Sequence, residues 1–251
     1  MYHDGVGCKV SSCDCKKKGK EFRGEGNAPW DALYSPPSFR SISKVTDWLV
    51  RFNIVLIILA VISSAEAIYV TFSTTYNQEL LDNAFGVIDI VTGIVSILEF
   101  LFTLFWYFRA TKNIHSFGAK SVTSPIMAVI WWFIPIFFFW KPYNVAQQIW
   151  KASNPDVELT EGIEWIKNPS SMIIKQWWIS YIISIAGALL LGFVLTGFGT
   201  EYNMQPERVG QTTLLTLGLI LFQAIQIISI ILFIRIIRQI STWQYRKSIN
   251  V

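Results

Sequence analysis

The sequence predicts an all-α polytopic membrane protein with four transmembrane helices and a re-entrant or interfacial helical hairpin between the second and the third. Three observations predict it. Of 251 residues, 52% are hydrophobic, 15% aromatic and only 15% charged, too greasy for an ordinary soluble domain, and the apolar residues fall in long blocks. Four blocks, 54–72, 85–108, 177–198 and 213–234, reach the length needed to cross a membrane. A helix rises about 1.5 Å per residue and a hydrocarbon core is about 30 Å thick, so about 20 residues suffice. The cations also alternate from one connection to the next. They are dense before the first span, between the second and third and after the fourth, while 73–84 has none and the last connection has only Arg208. Basic connections stay in the cytoplasm, which predicts a protein with both termini inside.

Residues 1–46 read as a basic, mostly disordered cytoplasmic tail, with 47–241 as the membrane domain and 242–251 as a second tail. The tail has glycines, Pro29, Pro36, Pro37 and the run Lys16, Lys17, Lys18, Gly19, Lys20, with no helical or strand period. It suits the surface of anionic lipid. It shows no short apolar region with a small-residue cleavage site, so the first span is expected to serve as an uncleaved anchor. Cys8, Cys13 and Cys15, near His3, form the one conceivable metal cluster in the sequence. Their spacing misfits paired zinc knuckles, and they are read as reduced thiols, with no metal or cofactor assigned.

Span one carries Ala60, Ser63, Ser64, Ala67 and Thr71 on one face, which allows a neighbouring helix to approach closely, with Glu66 beside them. Span two carries Asp89, Thr92, Ser96, Glu99 and Thr103 at intervals of three and four, a polar stripe that must face protein or water. Measured from the cytoplasmic end of each span, Glu66 stands about 21 Å and Glu99 about 14 Å deep. Thr92 and Ser96 then lie at the height of Glu66 and are candidate partners for it.

Between spans two and three, Ser124 and Pro125 form a helix start, with the hydroxyl as cap and the proline in the first turn. Pro135 lacks a backbone donor and should break the apolar segment 126–140, which is short for a full crossing. A crossing would also put the cations after it on the wrong side. Residues 143–153 read as a short amphipathic helix in the membrane surface, with Val145, Ile149 and Trp150 apolar and Gln147, Gln148 and Lys151 polar. Trp131, Trp132, Trp140, Trp150, Trp177 and Trp178 gather indoles at one interface.

The run from Phe105 through Trp106, Arg109, Ala110, Lys112 and Asn113 continues with Gly118, Ser124-Pro125, and Trp132-Phe133-Ile134-Pro135. It goes on with Trp140-Lys141-Pro142 and Ile149-Trp150-Lys151-Ala152-Ser153. In order and spacing this resembles the bacterial membrane family catalogued as domain of unknown function 4328. The close resemblance covers about a fifth of the chain, with the flanking spans agreeing in number and order. It implies a membrane fold and no established activity. The sequence departs from the family pattern at Phe138, Phe139 and Gln148.

The loop 154–170 is acidic, with Asp156, Glu158, Glu161 and Glu164, and reads as a solvated surface. Span three brings Ser180, Ser184 and Gly187 onto one face, and span four places Gln223 and Gln226 near mid-depth. With two histidines, no phosphate loop and no nucleophile elbow, the sequence excludes the familiar membrane-enzyme constellations, and no enzyme is expected. Nucleic acid is not an expected partner; membrane lipid is, together with a protein partner or a second copy. Two functions follow. The chain is read first as a non-enzymatic scaffold or interaction subunit, and alternatively as a small-solute or ion pathway using Glu66, Glu99, Gln223 and Gln226.

Overall fold

A computed structural model of the chain describes residues 38–72, 78–157, 159, 164–197 and 209–249. In chain order the elements are α1 Ser43–Phe72, α2 Gln78–Ser116, α3 Pro125–Ile130, α4 Pro135–Phe138, α5 Lys141–Ser153, the 3₁₀ turn η1 Glu164–Lys167, α6 Met172–Gly197 and α7 Val209–Ile249. The three cysteines lie outside the described residues. So do Glu158 and Glu161 of the acidic loop.

Four helices, α1, α2, α6 and α7, are long and apolar enough to cross a membrane. Their outer surfaces carry Val61, Ile94, Ile97, Leu189, Phe193 and Leu221, all more than half exposed. Lipid is the solvent in which such all-round apolar helices are stable, because their backbone bonds are satisfied internally. The protein is a multi-pass membrane protein. α2 has 39 residues and α7 has 41, so each runs about 60 Å, twice the hydrocarbon thickness. Hydropathy marks only the crossing part. The polar stretches after residues 108 and 234, the second of which was expected to give way to a tail, continue as helix; they pack on α5 and are bonded to each other through Gln244.

The helices are arranged in the order α2, α1, α7, α6, each packed on the next. α2 and α6 do not close the ring with their own backbones; rings from the α3–α4 segment stand between them. α1 and α2 are antiparallel in a register fixed by three bonds. Asn113 Nδ2 donates to Arg40 O at 2.9 Å, Trp106 Nε1 to Thr46 Oγ1 at 3.2 Å, and Asn53 Nδ2 to Glu99 Oε1 at 3.5 Å.

The buried core gathers at one end of the bundle, where Arg109, Lys112, Arg235, Arg238 and Lys247 also lie; this is the basic end. Ile42, Leu49, Trp106, Ile114, Val145, Ile149, Ile174, Ile237 and Ile240 are almost wholly enclosed there. α2 stops with Gly118 at φ +88°, its N–H bonded to His115 O at 3.0 Å and the next N–H to Ile114 O at 3.1 Å. These are the two bonds of a Schellman cap, and they need the left-handed conformation that glycine adopts without a Cβ clash. The chain then meets Ser124, which caps α3 by accepting from Met127 N at 3.3 Å, with Pro125 in the first turn as the sequence predicts. The helix breaks over 131–134 and restarts at Pro135.

α5 does not lie loose on a surface. Its Gln147, expected on a solvated face, is buried and exchanges two bonds with Ser171, Nε2 to O at 2.9 Å and N to Oε1 at 2.8 Å. Gln148 Oε1 accepts from Thr123 N at 3.0 Å. The helix packs on α2, α6 and α7, so polar side chains on its inner face pair with backbone instead of water.

Candidate functional site

A cavity of about 260 Å³ lies between the four spans near the basic end. α1 contributes Asn53, α2 contributes Ser96, Glu99 and Thr103, α6 contributes Tyr181 and Ser184, and α7 contributes Gln226 and Ser229. Each is a polar group pointing out of an otherwise apolar helix, and each is positioned by the same rule. Residues spaced three and four apart share a helical face, and the faces of α2, α6 and α7 turn toward one another.

Glu99 is the chemical centre. Its Oε1 accepts from Thr103 Oγ1 at 2.9 Å, one turn along α2, and from Asn53 Nδ2 at 3.5 Å. Asn53 is 2% exposed and fixed by a second bond to Leu49 O at 2.8 Å. Among the described residues, no cation pairs with Glu99 and no bond reaches its Oε2. Tyr181 lines the same cavity from α6.

Trp132, 7% exposed, lines the cavity. Its indole meets Phe100 and Tyr107 of α2 at 5.9 and 5.3 Å, and Trp178 and Tyr181 of α6 at 6.1 and 6.2 Å. It lies in the break between α3 and α4, and its side chain joins two spans whose backbones stand apart.

The residues singled out in the sequence divide. Ser96, Glu99, Thr103 and Gln226 come together on the cavity. Gln223, a turn away, has its Oε1 buried without a hydrogen-bond partner among the described residues and does not line the cavity. Glu66 and Asp89 sit toward the opposite end, within electrostatic reach of each other. The α1–α2 register separates Glu66 from Glu99 by about 20 Å along the axis. This exceeds the offset expected from the sequence, because each helix was there measured from its own apolar boundary, whereas α1 is already helical at Ser43. Thr92 bonds Ile88 O of its own helix at 2.8 Å rather than Glu66.

Asn53, Tyr181, Ser184 and Ser229 complete the site without having been singled out for it. Asn53 precedes the apolar block 54–72 that marks span one, so that block does not contain it. Tyr181 with Ser184, and Gln226 with Ser229, repeat on α6 and α7 the spacing that marked the stripe on α2, and that spacing is the signal that finds them.

The motif residues have mostly architectural places. Trp106 is buried on Thr46, and Asn113 is the hub of a bonded network at the basic end. Arg109 stacks on Phe105 at 6.0 Å, and Trp150 meets Trp243 at 4.5 Å. Pro135 opens α4, while Trp140 precedes α5 and Pro142 is buried in its first turn. No three His, Cys, Asp or Glu side chains among the described residues are arranged to hold a metal ion.

No curated protein and no solved structure matches the chain. Residues 70–242 match the family described as Domain of unknown function (DUF4328). That stretch runs from the end of α1 into the basic extension of α7. It takes in the break at Trp132 and every cavity residue except those on α1. With more than half of its length matched, the chain belongs to the DUF4328 family.

Proposed function

We propose that this is a non-enzymatic membrane protein that admits a small solute or ion, the proton included, to a carboxylate inside its helix bundle. The observation that carries the reading is Glu99. It stands on a cavity, bonded on one oxygen and paired with no cation among the described residues. A carboxylate inside a membrane protein is costly, and such groups mark substrate, ion or proton paths. The polar groups that surround it come from all four spans, the arrangement of a binding site between helices.

The charge distribution supports a cytoplasmic basic end with anionic lipid as a partner there, and the resemblance to a bacterial membrane family supports the bacterial cytoplasmic membrane as the site. On that reading the segment 124–153 is re-entrant. It begins beside His115, whose Nε2 lies 3.1 Å from Thr123 O, carries Trp132 and Phe133 to Phe100, and ends at Ser153 on the Asn113 network. Ile126, Phe133, Ile136 and Phe139 present an exposed apolar edge suited to lipid.

A scaffold, interaction subunit or homo-oligomer is the second reading, and the small-residue faces favoured it in the sequence. The face on α6 is used within the chain: a Cβ on Gly187 would fall 2.8 Å from Phe222. This supports the solute reading.

The test is flux of protons and small cations through purified protein in liposomes. Wild type is expected to conduct, Glu99→Gln to lose at least about tenfold while remaining folded, and Glu66→Gln to conduct as wild type. No flux in wild type across the series sinks the pathway.

A further inference from the structure

The cavity wall is selective in its chemistry. Six aromatic side chains line it, Phe100, Trp132, Trp177, Tyr181, Phe222 and Phe233, and Glu99 is its one charged lining residue. The rings are held against one another. Trp177 stacks on Phe233 at 5.2 Å and on Tyr181 at 6.0 Å, while Trp132 meets Phe100 and Tyr181 edge-on. Ring faces are electronegative and attract a cation that has shed its water.

Each other solute class meets an obstacle. An anion is repelled by Glu99. A neutral solute brings no counter-charge, so the buried Glu99 carboxyl has to take up a proton to stay there. A hard divalent cation, calcium or magnesium, needs about six or more oxygen ligands at about 2.0 to 2.6 Å. The oxygens here are spread around four helices with rings between them, and Glu99 Oε1 already accepts two hydrogen bonds. An alkylated ammonium is suited to all three parts of the wall. Its charge complements the free carboxylate oxygen, its N–H groups, where it has them, find hydroxyls, and its carbon shell lies on the rings.

Resting on the reading of this cavity as a solute site, we propose that its ligand is an organic ammonium, bound between Glu99 and the aromatic wall. Because α2 and α6 do not pack together on this side of the bundle, the ammonium has two sources, a free amine or the head group of a membrane lipid.

The experiment is carried out on detergent-purified full-length protein with Cys8, Cys13 and Cys15 replaced by serine and a reporter thiol on the wall. Ser229→Cys is the first reporter and Ser184→Cys the second, since either alone can disturb packing. Each is labelled with trimethylammonioethyl methanethiosulfonate and with its sulfonatoethyl counterpart, with rates normalised to a free thiol. The cationic reagent is expected to react at least about tenfold faster than the anionic one, and Glu99→Gln to abolish that preference. Choline is expected to slow labelling, and its uncharged carbon isostere dimethylbutanol to leave the rate unchanged.

Equal rates for the two reagents, or equal protection by choline and the isostere, overturn the ammonium assignment while leaving an accessible site. Absence of labelling of both reporters in folded protein, with labelling after denaturation, overturns the cavity reading and the ammonium with it. Mixed micelles separate the sources. Protection by phosphatidylethanolamine and not by free ethanolamine or choline assigns the lipid head group. Protection by the free amines alone assigns a soluble ligand.

Discussion

At the level of single residues, the most constrained side chains are amides. Asn113 accepts from Arg40 N at 3.2 Å and donates to Arg40 O at 2.9 Å and Gln244 Oε1 at 2.8 Å. Gln244 passes the network on to Ala110 O at 3.1 Å and Ser153 Oγ at 3.0 Å. Both residues are at most 1% exposed, so water cannot replace a lost partner. Asn113→Ala leaves the buried Gln244 amide oxygen unpaired and frees the exposed Arg40 backbone to water, and is expected to cost about 2 kcal/mol in reversible unfolding from mixed micelles, at about 1 to 3 kcal/mol for a buried group left unpaired.

Lys247, beyond the crossing part of α7, donates to Ala152 O, Asn154 O and Val157 O at 3.0, 3.1 and 2.8 Å and so seals the carbonyl end of α5. Burial pushes its ammonium down to about 8. A base whose folded pKa lies below its unfolded one gives up its proton first in the folded state. Between about pH 8 and the unfolded value of 10.5 the unfolded chain therefore holds more protons, and stability rises with pH. Melting temperatures through that window are expected to climb for wild type and to lose this component in Lys247→Met.

The elements show where the sequence is informative and where it is not. Ser124, Pro125 and Pro135 act through backbone chemistry carried by the residue itself, so the start of α3 and the break before α4 were legible. The stripe on α2 was legible for the same reason, since helical spacing is a local property. Gln147 was not. Its apolar neighbours Val145 and Ile149 define an amphipathic helix, but only tertiary packing reveals that Ser171 waits on the inner face. Trp132 has the same status. As one of many indoles it reads as an interface anchor, whereas its place between α2 and α6 depends on how those two helices diverge. Replacing it with leucine removes ring contacts to both spans and is expected to cost about 3 kcal/mol in the same unfolding measurement, in the range for emptying a large aromatic site.

For the whole molecule, hydropathy located the four crossings but not their relative heights, because an apolar boundary marks lipid and says nothing of which turn faces which. The bonds from Thr46, Asn53 and Asn113 set that register. They separate the Glu66 region from the Glu99 cavity, which composition alone had grouped together. The path of 124–153 sets a prediction at the same scale. Cysteines placed singly at Lys120 and Asn144, both exposed and on either side of the break, are expected to react with an impermeant reagent from the same face of sealed vesicles. Reaction from opposite faces would mean that the segment crosses.

The bonds made by Gln244 and Lys247 also order events during synthesis. Both residues are translated after every element they fasten, so α2 and α5 must wait in the membrane or at its surface with Ser153 and the α5 carbonyls still lacking these donors. A ribosome that stalls before Gln244 leaves four helices inserted and their shared end unsealed. Integration of the spans therefore does not by itself complete the fold; the bonds from the α7 extension do.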